Sequence, residues 1–147
     1  MSQPRLFDED ADRPSALVVY TDGGARGNPG PAGFGVRIEE PDGTLVEELS
    51  EPLGIATNNI AEYRALVAAL EHAASRGATT VAVRSDSELM VKQMRGEYRV
   101  KSAGLRPLYE QATRLAAAFA RVTFEHIPRS KNAHADRLAN LAMDRAG

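Results

Sequence analysis

Ala16-Leu17-Val18-Val19-Tyr20 is apolar at every position and stops abruptly at Thr21-Asp22-Gly23-Gly24. A run without polar alternation fits a strand buried on both faces, which needs a covering layer above and below the sheet. That requirement steers the chain toward an α/β fold with helices packed on a sheet. With 147 residues the chain is sized for one such domain and is too short for two ordinary cores.

Downstream, the spacing changes segment by segment. Phe34-Gly35-Val36-Arg37-Ile38 alternates like a strand, Pro41-Asp42-Gly43 reads as a turn and Thr44 to Leu49 as a third strand, which predicts an antiparallel meander. After Thr57-Asn58-Asn59, the apolar positions Ile60, Tyr63, Val67, Leu70 and Ala74 recur at helical spacing until Arg76-Gly77. Thr80 to Arg84 is strand-like, and Ser85-Asp86-Ser87 can cap a short helix ending near Arg95. Leu105 to Phe119 marks another helix, Val122 to Ile127 a fifth strand, and Asn132 to Arg145 a last helix. The expectation is one mixed sheet flanked by helices, with a right-handed crossover setting the fourth strand parallel to the first.

The absence of cysteine excludes a disulfide framework, a thiolate zinc site and a cysteine nucleophile, and fits a reducing compartment. Apolar runs such as Leu115 to Ala120 stop far short of a bilayer span, so no membrane partner is expected. Residues 1–14 are acidic and contain proline where a signal peptide would be apolar. They read as a flexible tail ahead of a single domain over 15–147, and cytoplasmic residence is the expectation. The net charge of −2 sits wholly in that tail, where two arginines face four acids. In the balanced remainder, Lys92, Arg95, Arg99, Lys101 and Arg106 face Glu97 alone across 92–106. Such an excess suits either gripping phosphates or lining a solvated surface.

Four acids fall where an α/β sheet binds its ligands. Asp22 ends strand one, Asp86 ends strand four, and Glu62 and Asp136 fall in the first turns of the first and last helices. Strand C-termini and the following helix N-termini share one edge. Each acid has a structural alternative: Asp22 as a turn residue, Glu62 closing a capping box with Asn59, Asp86 as an N-cap, Asp136 complementing a helix dipole. Together, four carboxylates on one rim would repel and raise one another's pKa, a cost that magnesium or manganese removes. Six of the twelve glycines lie between Gly23 and Gly35, but no Gly-Lys-Ser/Thr follows, so this is not a phosphate loop. It reads as a tight hairpin whose backbone approaches a ligand. His72 and His126 read as structural or solvent-facing, and His134 as the histidine near the rim. Tyr63 and Tyr109 read as core, whereas Tyr98 could stack on a base.

From Leu17 to Met143 the sequence resembles the type 1 ribonuclease H family. The resemblance is carried by Tyr20-Thr21-Asp22-Gly23-Gly24-Ala25-Arg26-Gly27-Asn28-Pro29-Gly30, Thr57-Asn58-Asn59-Ile60-Ala61-Glu62, Ser85-Asp86-Ser87 and Ala135-Asp136-Arg137-Leu138-Ala139. It implies a ribonuclease H-like fold with a five-stranded mixed sheet, and hydrolysis of the RNA strand of RNA/DNA hybrids; separately, a monomer is expected. It further implies that Asp22, Glu62, Asp86 and Asp136 bind two Mg2+ ions, with Mn2+ as a substitute and Asp22 bridging the pair. One ion would activate water for in-line attack and the other stabilise the leaving 3′ oxygen, giving 5′-phosphate and 3′-hydroxyl ends. By the same resemblance, Asn28, Asn58 and Asn59 would touch the hybrid, where amides can both donate to and accept from a 2′-hydroxyl. Thr57 would contact a phosphate of the DNA strand.

Three departures accompany the match. The tryptophan-bearing basic insertion of some members is replaced by the short Gly96 to Gly104 segment, where Arg99 and Lys101 are candidates for a phosphate grip. Glu88 stands where the better-known bacterial branch has glutamine at a minor-groove contact. The loop before Asp136 reads Pro128-Arg129-Ser130-Lys131-Asn132 and lacks the family's mobile histidine. This shortened form resembles a branch found in archaea and some bacteria in which an arginine takes that place, which assigns the role to Arg129. The rivals are a binding module that keeps the fold without catalysis, set against the four carboxylates, and another nuclease of the same superfold, set against Asn58 and Asn59.

Overall fold

The computed structural model describes residues 15–147; the acidic tail over 1–14 lies outside the described residues. Strands β1 (Ala16–Ala25), β2 (Gly30–Glu39) and β3 (Leu45–Ala56) form an antiparallel meander, and helix α1 (Asn58–Ser75) crosses over to β4 (Thr80–Ser85). Helices α2 (Glu88–Met94) and α3 (Arg106–Ala117) lead to β5 (Arg121–His126), and a single 3-10 turn (Arg129–Lys131) leads into α4 (Ala133–Ala146). The sheet order is β3-β2-β1-β4-β5, with β1 parallel to β4 and β4 parallel to β5. The apolar run thus lies in the central strand, with the crossover strand beside it.

The first three strands are longer than the alternating segments alone indicate. Pairing continues past Tyr20 through Asp22↔Gly35 to Ala25↔Ala32, and β2 and β3 stay paired out to Gly30↔Ala56, with register shifts at Ala32/Gly33 and Ile38/Glu39. Backbone hydrogen bonds carry the ladder through glycine and polar residues that lack a strand pattern. Pro52 is tolerated because β3 is an edge strand.

One sheet face presents Val19, Val36, Ile38, Val81 and Val83 to Leu66 and Leu70 of α1, all fully buried. Burying a leucine stabilises by about 2 kcal/mol, against about 1 kcal/mol for a helix N-cap. The packing face of α1 therefore outweighs its Thr57 cap. Tyr63 meets Tyr109 of α3 edge to face at 6.5 Å, and its hydroxyl donates to Gln93 of α2 at 2.7 Å. Both tyrosines belong to the core side, as their spacing indicates. Helix α4 lies on the opposite face, over β2.

Candidate active site

The parallel ladder between β1 and β4 ends at Thr21↔Ser85, so Asp22 and Asp86 are the next residues on two adjacent strands. Asp22 is therefore not a turn residue: it remains in β1, paired with Gly35, and is buried. Two glycines bring in the other acids. A Cβ on Gly23 would lie 2.3 Å from the carbonyl of Ala61, so only glycine lets α1 press against β1 and set Glu62 beside Asp22. A Cβ on Gly35 would lie 2.4 Å from the Ala135 oxygen, and there α4 rests directly on β2 with Asp136 in its first turn. The glycine-rich stretch thus admits neighbouring helices, where a ligand was expected.

Glu62 stands in the second turn of α1, not the first, because the helix already starts at Asn58. The capping-box alternative fails with it: Thr57 is the N-cap and accepts from the Ile60 N–H at 3.2 Å. Asp86 is not a cap either, since Ser87 caps α2 by accepting from Met90, and Ser85 Oγ accepts from the Ser87 N–H at 3.0 Å. Both carboxylates are left for the rim.

Asp22, Glu62 and Asp86 each offer an oxygen, and these lie within 4.8 Å of one another. Burial, then the charges of Asp86 and Asp136, push Asp22 up to about 8. Burial first, then Asp22 and Asp86, hold Glu62 well above the usual carboxylate range, and burial also raises Asp86. Arg129 opposes all three shifts, but its side chain is 81% exposed and 3.6 Å from Asp136. Glu62 Oε1 is buried without a hydrogen-bond partner. An all-oxygen cluster with an orphaned acceptor and one distant cation fits a hard divalent ion.

Arg129 and Asp136 line the same cavity of about 480 Å3 as Asp22, Glu62, Asp86 and Asn58. Arg129 is held in the 3-10 turn and is not in an open loop. The Asn58 Oδ1 accepts from the Ala25 N–H at 2.8 Å, and Asn28 Oδ1 accepts from the Asn58 N–H at 3.0 Å. These amides brace the β1–β2 hairpin against α1, which leaves their NH2 groups as donors. Asn59, Arg99 and Lys101 line a separate groove of about 610 Å3 with Leu89 and Tyr98. Glu88 pairs with Lys92 at 3.0 Å, and that lysine sits 5.0 Å over the Tyr98 ring.

Among the histidines, His126 and not His134 lines the carboxylate cavity, while His134 is exposed. His126 ends β5 opposite Ser85, the residue before Asp86. Its place at the end of the fifth strand was the available signal, but using it required the β4–β5 register. Asn140 and Met143 of α4 also line the cavity and carry no motif.

A family model described as reverse transcriptase-like matches residues 20–142. A bifunctional protein of Mycobacterium tuberculosis is 50% identical over 131 residues, 88% of this chain. The chain spans little more than a third of the mycobacterial relatives it matches, 36% of each. Ribonuclease HI of Halobacterium salinarum is 43% identical over 135 residues, which cover 92% of this chain and 68% of the relative. The solved structure of LC11-RNase H1 in complex with RNA/DNA hybrid aligns with a TM-score of 0.84 at 46% identity, covering 88% of this chain and 98% of that one.

Proposed function

The chain belongs to the type 1 ribonuclease H family, and on that premise we propose that it is an endoribonuclease hydrolysing the RNA strand of RNA/DNA hybrids to 5′-phosphate and 3′-hydroxyl ends. The convergence of Asp22, Glu62 and Asp86 within 4.8 Å carries this reading. With Asp136, these residues would hold two magnesium ions, for which manganese could substitute. Bound there, the ions supply water activation and charge stabilisation at the leaving 3′ oxygen.

The remaining roles follow from the side chains. An arginine is no general base at neutral pH, but the exposed fork of Arg129 can hold the scissile phosphate and stabilise developing charge. The NH2 groups of Asn28 and Asn58 face the hybrid, with Asn59 and Thr57 nearby on the start of α1. Arg99 and Lys101, which have no carboxylate partner among the described residues, grip phosphates along the groove. Glu88 is held by Lys92, which lies over Tyr98 of that groove, and we propose that it meets the substrate through this pair. We read the protein as a monomer on this substrate.

Incubation with magnesium and end-labelled RNA/DNA hybrid, RNA duplex, DNA duplex and single strands tests the proposal. Internal cleavage of the hybrid's RNA strand with 5′-phosphate products is expected. Binding without cleavage, or cleavage of DNA, overturns it.

A further inference from the structure

Asn132 is 1% exposed, and its hydrogen bonds reach three parts of the rim. Its Nδ2 donates to the Thr21 carbonyl at 2.9 Å, across 111 residues of chain. Its backbone N–H donates to the Arg129 carbonyl at 2.9 Å and closes the 3-10 turn, while its own carbonyl accepts the Asp136 N–H at 3.0 Å. Thr21 immediately precedes Asp22 and pairs with Ser85, which precedes Asp86. One side chain therefore ties the segment carrying Arg129 and Asp136 to the strand carrying Asp22.

An asparagine at a helix start ordinarily turns its side chain onto the first free amides of that helix. Asn132 makes no such cap. Its amide is directed across the sheet instead, and the orientation is fixed because a carbonyl can only accept. The cost is visible in Oδ1, which stays buried without a partner. A residue selected only to start α4 would use that oxygen as a cap. We propose that Asn132 is a positioning residue that sets the spacing between Asp22 and the Arg129–Asp136 pair, an inference that rests on the carboxylate rim being the catalytic centre.

The test compares Asn132→Ala with Val81→Ala, a core truncation at the other end of β4, using hybrid cleavage in magnesium at a temperature where circular dichroism shows both folded. Asn132→Ala should lower kcat about tenfold to a hundredfold, as misplacement of reacting groups does, with KM changed less than about twofold. A kcat less than about fivefold below that of Val81→Ala overturns the proposal, because a purely structural residue would lose stability and keep its turnover. Should Asn132→Ala not fold, Asn132→Asp keeps the volume, sets an acceptor against the Thr21 carbonyl and decides by the same split. If neither folds, Asn132 is a fold determinant and the proposal is wrong. A parent protein that fails to cut hybrid would instead refute the rim as a catalytic centre, a result distinguishable from a variant that keeps full turnover.

Discussion

The carboxylate rim and the basic groove beside it are built in opposite ways. In the rim, like charges are forced together by backbone: β1 and β4 end their ladder side by side, and Gly23 and Gly35 let two helices close on them. In the groove, the cations Arg99 and Lys101 are dispersed on exposed side chains of the 96–101 segment, while Lys92 of α2 packs over the neighbouring Tyr98 ring. The rim is a place where the folded chain carries an electrostatic cost that a proton or a bound cation relieves, whereas the groove disperses its charge on exposed side chains. Chemistry should therefore be sensitive to single atoms in the rim, and affinity should be spread thinly over the groove.

Asp86→Asn should break the contrast most sharply. An amide is a weaker, uncharged ligand, so hybrid cleavage should fall by about a thousandfold or more while thermal stability is kept, since a repelling charge has gone. Substantial turnover at saturating magnesium would remove Asp86 from the mechanism. Gly23→Ala comes next: the new methyl meets the Ala61 backbone, which should cost about 1–3 kcal/mol in denaturant unfolding and, by moving Glu62, about a hundredfold in kcat. Normal kcat in that variant would show that α1 need not press on β1. Arg129→Ala should lower kcat about tenfold or more with little change in KM, and Arg129→Lys should recover part of the loss. If Lys131→Ala is impaired instead, the role belongs to that neighbour.

The groove should respond more weakly. Replacing Arg99 and Lys101 together by alanine should raise KM severalfold and reduce the salt dependence of hybrid binding by about one to two counterions, with kcat nearly unchanged. An unaltered salt slope would make the groove an ordinary solvated surface.

The same contrast explains what could be read in advance. The meander, the crossover that sets β4 beside β1 and the four acids follow from apolar periodicity and from where strands end, because those patterns record burial directly, whereas the place of β5 beside β4 does not. The lengths of β1 to β3 do not, since their outer pairs run through glycine and polar residues. Charge counting along 92–106 also misleads in detail. Arg95 donates to the Phe124 carbonyl at 2.8 Å and Arg106 to the Val100 carbonyl at 2.9 Å, so these cations brace the fold, and of this run Arg99 and Lys101 are the ones left for a ligand among the described residues. His126 and Asn132 were illegible for a related reason: each owes its place to a partner on a distant strand, Ser85 in one case and Thr21 in the other.

Thermal unfolding between pH 4 and 8, with chelator and with magnesium, for the parent and Asp22→Asn, tests most directly whether the rim is a repelling cluster that a divalent ion relieves. Asp22 is raised from an ordinary 3.8 to about 8 in the folded state. A raised carboxylate contributes stability below its unfolded pKa and loses it as pH climbs through the folded value. The metal-free parent should therefore lose Tm relative to Asp22→Asn as pH rises from 4 to 8, and magnesium should restore the loss in the parent alone. Parallel curves for the two proteins, unmoved by magnesium, would contradict the account.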